Sequence, residues 1–175
     1  SLLVTGSDSG AIRVYPVSAQ SSAVSSTPLY TSTVHSDYVS SFVFKGTACV
    51  ALGGDGRISC HELSKVGQEG KDPFVRVSDE QDDEFLAGAC IKGGAKLVLG
   101  TQSGVLSVFG WGKWGDIETR FPGHPESVDA LVKVDENTVL TGSSDGMLRV
   151  SQVQPDKFLG VFGDHGGFPV EGLEW

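Results

Sequence analysis

One short phrase is written four times along this chain, and the repetition limits the available folds more than any other feature. Thr138-Val-Leu-Thr-Gly-Ser-Ser-Asp-Gly-Met-Leu-Arg-Val-Ser151 reads as two short strands joined by a tight turn. Val139 and Leu140 favour extended backbone, Ser144-Asp145-Gly146 supplies turn chemistry in which Gly146 can take a positive φ, and Leu148 and Val150 resume the apolar alternation. The phrase returns over Leu3–Tyr15, Val50–His61 and Leu97–Phe109. Its turn glycines, Gly10, Gly56, Gly104 and Gly146, stand 46, 48 and 42 residues apart. A period near about 45 residues, with four strands to each repeat, predicts an all-β chain made of β-propeller blades. Two and four residues after each turn glycine stand Ile12 and Val14, Ile58 and Cys60, Leu106 and Val108, and Leu148 and Val150, the expected inward side chains of one strand.

Five residues after each turn glycine stand Tyr15, His61, Phe109 and Ser151. The pattern resembles the WD-repeat propellers, in which a Trp occupies this place. In that family the Trp belongs to a structural hydrogen-bond set with a His from a Gly-His turn, a Ser or Thr on the second strand and an Asp in the hairpin. The resemblance runs over the whole chain. It implies about four consecutive four-stranded blades, with a partial first over residues 1–34, others over 35–77, 78–121 and 122–162, and the start of another over 163–175. Carried onto this sequence, the hydrogen-bond set is His124, Thr141 and Asp145 in the fourth repeat, with Ser151 in place of the Trp. The second repeat offers His35 and Asp55, with His61 at the aromatic place and a hairpin one residue shorter. The third has neither partner: Ser103 precedes Gly104, and Asp82-Asp83-Glu84-Phe85 stands where the His is expected. There is no Trp-Asp dipeptide, so the resemblance rests on the period, the hairpins and the His turns.

The strand over Leu2–Thr5 opens inside a blade, and Pro169–Trp175 reads as the first strand of a further one. The chain is therefore expected to be a piece of a longer protein that closes a ring, seven-bladed by the family resemblance, since an open arc leaves apolar sheet faces uncovered. A net charge of −9 argues against a broad phosphate-binding face and favours a basic protein partner. The cysteines, Cys49, Cys60 and Cys90, lack CxxC spacing and sit in apolar strands, as buried reduced thiols do. No apolar run is long enough to span a membrane as a helix. Nucleophile-elbow, P-loop and HExxH patterns are all missing, and the histidines recur at blade starts as turn-locking groups. No catalytic residue, metal ligand, cofactor or small-molecule substrate is expected.

Three segments stand apart from the strands. Ser18–Pro28 is small and polar and reads as a mobile loop. Ser78-Asp-Glu-Gln-Asp-Asp-Glu84 is a run of carboxylates that suits a solvated loop or an acidic contact for a basic tail. Phe109-Gly-Trp-Gly-Lys-Trp-Gly115 places Trp111 and Trp114 among glycines, either packed over the blade's rim or presented as stacking surfaces.

A narrower resemblance is carried by Leu99–Gly104, Trp111-Gly-Lys-Trp-Gly-Asp116, Leu140–Val150, Gln154–Gly160 and Asp164-His-Gly-Gly-Phe-Pro-Val-Glu171. These strings, and the spacing between them, resemble the family of WD repeat-containing protein 55. The resemblance implies a non-catalytic nucleolar scaffold for maturation of large-subunit precursor particles and ribosomal RNA processing. Its partners would be assembly factors or ribosomal proteins, with any rRNA contact made by parts outside this chain. Expected partner contacts are Trp111, Lys113 and Trp114, the acidic Asp79, Glu80, Asp82, Asp83 and Glu84, and the blade-turn residues Tyr38, Glu126 and Phe168. The alternative is a WD-repeat substrate receptor of a cullin-type ubiquitin ligase or a histone-tail binder, reading Lys and Arg with the same acidic face.

Overall fold

A computed structural model describes residues 1–18 and 23–174. Residues 19–22 of the expected mobile loop, and Trp175, lie outside the described residues. Each repeated phrase forms a hairpin, and each hairpin is built into an antiparallel sheet. The first sheet has three strands, β1 (Leu2–Gly6), β2 (Ile12–Pro16) and β3 (Tyr30–Ser32). The second runs β4 (Val39–Lys45), β5 (Ala48–Gly53), β6 (Ile58–Glu62) and β7 (Phe74–Val77). The third runs β8 (Phe85–Ile91), β9 (Lys96–Thr101), β10 (Val105–Gly110) and β11 (Thr119–Pro122). The fourth runs β12 (Val128–Lys133), β13 (Thr138–Ser143), β14 (Met147–Gln152) and β15 (Lys157–Asp164). In every four-stranded sheet the strands lie in sequence order, the up-and-down connection of a propeller blade.

The blades stack face to face because alternate residues of each strand point to opposite faces. Val43, Val50, Leu52, Ile58 and Cys60 meet Phe85, Leu97, Leu99 and Phe109 of the next blade in one apolar cluster. Ala87, Ile91, Val98, Leu106 and Val108 meet Val128, Leu131, Val139 and Val153 in the other. The innermost strands share a bulge one residue after their start, between Val39 and Ser41, Phe85 and Ala87, and Val128 and Ala130. Cys49 pairs with His61 and Cys60 with Val50, so the two buried thiols point to opposite faces of their sheet. Burial pushes Cys49 up to about 12 and Cys60 up to about 11.

Residues 169–174 form no strand, although the sequence reads as one. They nevertheless take up the start of a blade. The Val170 N–H donates to Ser143 O at 3.2 Å, as the Val39 N–H donates to Ser7 O at 3.1 Å. A Cβ on Gly142 would strike Val170 as one on Gly6 would strike Val39, at 2.5 and 2.6 Å. Inner strands elsewhere pair with the second strand of their own blade, and this segment has no such neighbour among the described residues.

Candidate functional site

The blades have two ends. The hairpin turns and the loops between blades gather at one, hereafter the hairpin end. The turns after the innermost strands and the loops before the outermost strands gather at the other. Every lysine of the chain lies at or next to the second end, where carboxylates balance them, so nearly all of the net charge of −9 falls on the hairpin half. Several of those lysines are tied down. Lys45 Nζ donates to Gly94 O at 2.7 Å and sits 4.7 Å from the Trp111 ring centre. Lys92 Nζ donates to Asn137 Oδ1 at 2.6 Å and to Gln154 O at 2.9 Å, and Lys96 is paired with Glu118.

At the hairpin end, Gly10, Gly56 and Gly104 hold φ of 76°, 69° and 81°, and a Cβ on them would strike the carbonyls of His35, Gln81 and His124. These three residues therefore hold one position in successive blade junctions. The sequence reading put the Asp82–Phe85 run where the third His is expected; the backbone puts Gln81 there.

The three positions do different chemistry. His35 is buried and joins a chain of bonds: Nδ1 lies 3.0 Å from Asp55 Oδ1, Nε2 lies 2.8 Å from Ser59 Oγ, and Ser59 Oγ lies 2.8 Å from His61 Nε2. His61 Nδ1 in turn lies 3.1 Å from the Tyr30 hydroxyl of the preceding blade. With one proton on each imidazole the order is forced, because the Asp55 carboxylate only accepts and so requires His35 Nδ1–H. Ser59 then donates to His35, His61 Nε2–H donates to Ser59, and Tyr30 donates to His61. Burial pushes the His61 pKa down to about 4. Sequence reasoning found His35, Asp55 and the aromatic place of His61, but missed Ser59 and Tyr30. Ser59 lies on the third strand opposite Ala51, whereas the family pattern puts the hydroxyl on the second.

In the fourth blade the expected set is only half assembled. His124 Nε2 lies 2.8 Å from Thr141 Oγ1, but Asp145 turns away and takes Arg149 in a bidentate pair at 3.0 and 2.6 Å. The Arg149 guanidinium holds the Asp145 carboxyl below its usual range. Burial, with Arg149 nearby, pushes His124 down to about 4. Its Nδ1 and the Ser151 hydroxyl are buried without a hydrogen-bond partner among the described residues. Arg149 is the signal that separates this blade from the second, where Ser59 holds the same register position.

The third junction reverses the family's arrangement. Asp83 accepts from the Ser103 N–H at 3.1 Å and from the Ser103 hydroxyl, so the loop between blades supplies the carboxylate that its hairpin lacks. Gln81 turns outward and accepts from Arg120 Nη2 at 2.8 Å.

The expected contact residues divide between the two ends. Tyr38, Asp79, Glu80, Asp82, Asp83, Glu84, Glu126 and Phe168 are at the hairpin end, and Trp111, Lys113 and Trp114 at the other. Asp79, Glu80, Asp82, Glu126 and Phe168 are exposed, Phe168 by 70 %, while Asp83 and Glu84 are half-buried and engaged within the fold. Glu80 pairs with Arg57 at 2.8 Å, and Glu84 accepts from Tyr38 at 2.6 Å. Trp114 is 5 % exposed and belongs to the core between the second and third blades, with Trp111 packed edge to face on it at 4.9 Å. The pair closes the rim of the blade, and Trp114 is not available as a partner contact. Lys113 is exposed beside them, 3.7 Å from Glu118. Among the described residues no three His, Cys, Asp or Glu side chains gather as a metal ion requires.

Sheet order, face-to-face blades and a His-centred bond set in the hairpin turns define a WD-repeat β-propeller. The backbone matches a chain in the crystal structure of a mitotic checkpoint complex with a TM-score of 0.79 over the whole of this chain and 52 % of that one; at 18 % identity this shows the fold alone. No protein-family model matches the chain. Curated proteins do. WD repeat-containing protein JIP5 of Coprinopsis cinerea is 40 % identical over 97 % of the chain, JIP5 of Malassezia globosa 51 % identical over 70 %, and WD repeat-containing protein 55 of Mus musculus 30 % identical over 98 %. The chain belongs to the family formed by WD repeat-containing protein 55 and its fungal JIP5 relatives, and spans 42 % of the length of the Coprinopsis and mouse proteins.

Proposed function

We propose that this chain is part of a non-catalytic scaffold in ribosome production, acting in the nucleolus on large-subunit precursor particles and ribosomal RNA processing. Family membership supports a scaffold that works through protein contacts. The observation that carries the reading of this particular chain is its charge division: the hairpin end concentrates the negative charge and holds no lysine, so it suits basic protein segments such as those of ribosomal proteins or their assembly factors. Asp79, Glu80, Asp82, Glu126 and Phe168 are exposed at successive blade junctions of that end, four carboxylates and an aromatic side chain. Contact with rRNA is assigned to parts of the protein outside this chain.

The test is sedimentation of the tagged full-length protein from nuclear extract on a gradient, with fractions probed for precursor large-subunit particles before and after a salt wash. Co-migration that survives the wash, and is lost when Asp79, Glu80 and Asp82 are replaced by Lys, is the expected result. Migration only in free or adaptor-sized complexes, with cullin adaptors or histones as partners, would replace this reading by the ligase-receptor or histone-binding one.

A further inference from the structure

The junction between the second and third blades has a cavity at the place where its neighbour carries a histidine. In the second blade, His35 reaches Ser59, three residues after the turn glycine, at 2.8 Å. Gln81 and Ser107 hold the equivalent positions in the third blade, but Gln81 has swung out to Arg120. What remains is an opening of about 280 Å³ lined by Gln81, Asp82, Asp83, Ser107, Arg120 and an apolar wall of Val105 and Ile117. Ser107 is 2 % exposed, lines this opening, and its hydroxyl has no hydrogen-bond partner among the described residues. The Ser107 hydroxyl meets the solvent of this opening and is free to bond a group that enters it.

We infer that this opening receives the side chain of a lysine from a basic partner segment. The chemistry of the walls selects it. Val105 and Ile117 offer an apolar surface along which the aliphatic stem of an entering lysine can lie. At the rim Asp82 and Asp83 face one Arg120, whose guanidinium is already bonded to Gln81, which leaves one carboxylate uncompensated for an arriving ammonium. The ammonium donates to Asp82. The inference rests on the reading of the hairpin end as the docking face, and it adds the side chain that the face reads and the junction that reads it.

The experiment uses the full-length protein, with methyl-resolved NMR on Val105 and Ile117 and two probe peptides, acetyl-Gly-Lys-Gly-amide and the same peptide with norleucine in place of lysine. The lysine probe is expected to shift both methyl groups in a saturable way, the norleucine probe at least tenfold more weakly, and Asp82→Asn to weaken the lysine probe by about tenfold. Gln81→His refills the slot as His35 does in the blade before, and is expected to abolish the shifts while raising the melting temperature by about 3 °C. Equal response to both probes, or an unchanged response in Gln81→His, overturns the inference. Purified protein and short probes make this result independent of particle association, so a protein that binds the lysine probe but never co-sediments with precursor particles overturns the proposed function alone.

Discussion

The Tyr38 hydroxyl donates to the Glu84 carboxylate at 2.6 Å, and the two residues occupy the same position in successive blades. The bond therefore ties one blade junction to the next at the hairpin end. Burial and the adjoining carboxylate together raise the Tyr38 pKa, since ionisation would place two negative charges side by side. Tyr38→Phe is expected to cost about 1.5 kcal/mol, the range for a hydrogen bond to a charged group. Urea unfolding measures the loss, and absorbance titration of the wild type should show this tyrosine ionising only as the protein unfolds.

Ser59 and Ser107 hold the same register position, yet only the loss of Ser59 should be costly. Ser59 stands between two imidazoles, so Ser59→Ala leaves the Nε2 atoms of both His35 and His61 without their buried partner, at about 3 kcal/mol. Ser107 has no partner to lose, and Ser107→Ala should change stability by less than about 0.5 kcal/mol. Paired denaturation curves decide the matter, and equal effects would show that the bond chain through Ser59 contributes nothing.

The recurrence of the hairpin made the blades legible, because turn glycines and alternating apolar residues are local signals. The bond sets were legible only where each member stood at its usual place. Asp145 looks like a partner for His124 until Arg149, four residues on, is seen to claim it at 2.6 Å. Ser59 sits across the strand pair from where the family keeps its hydroxyl, and a one-dimensional pattern cannot reveal that the two places are equally near the imidazole. The acidic run hid its division of labour for the same reason: Asp83 and Glu84 are taken by Ser103 and Tyr38, which are distant in sequence, while Asp79 and Asp82 remain exposed.

His61 and His124 make stability depend on mild acid. Both are held near 4 in the folded chain against an ordinary value of 6.5, so the unfolded chain binds protons more readily. Stability from this source is complete above pH 6.5 and is lost as the pH falls from there toward 4. The urea midpoint should decline over that window. His61→Phe, which installs the side chain that Phe109 provides in the next blade, should flatten the decline. An unchanged slope in that variant would show that His61 is not held neutral by its burial.

Trp114 and Phe168 separate packing from contact. Trp114 fills the core between two blades and supports Trp111, which in turn carries Lys45 above its ring. Trp114→Ala removes this buried volume and is expected to cost about 4 kcal/mol. A lower melting temperature and a loss of aromatic circular dichroism should accompany it. Phe168 is 70 % exposed at the hairpin end and carries no such load. Phe168→Ala should leave the melting temperature within about 1 °C of wild type, while particle association on the gradient declines. If Trp114→Ala left stability intact and Phe168→Ala left association intact, the docking surface would belong at the lysine-bearing end, around the Trp pair and Lys113.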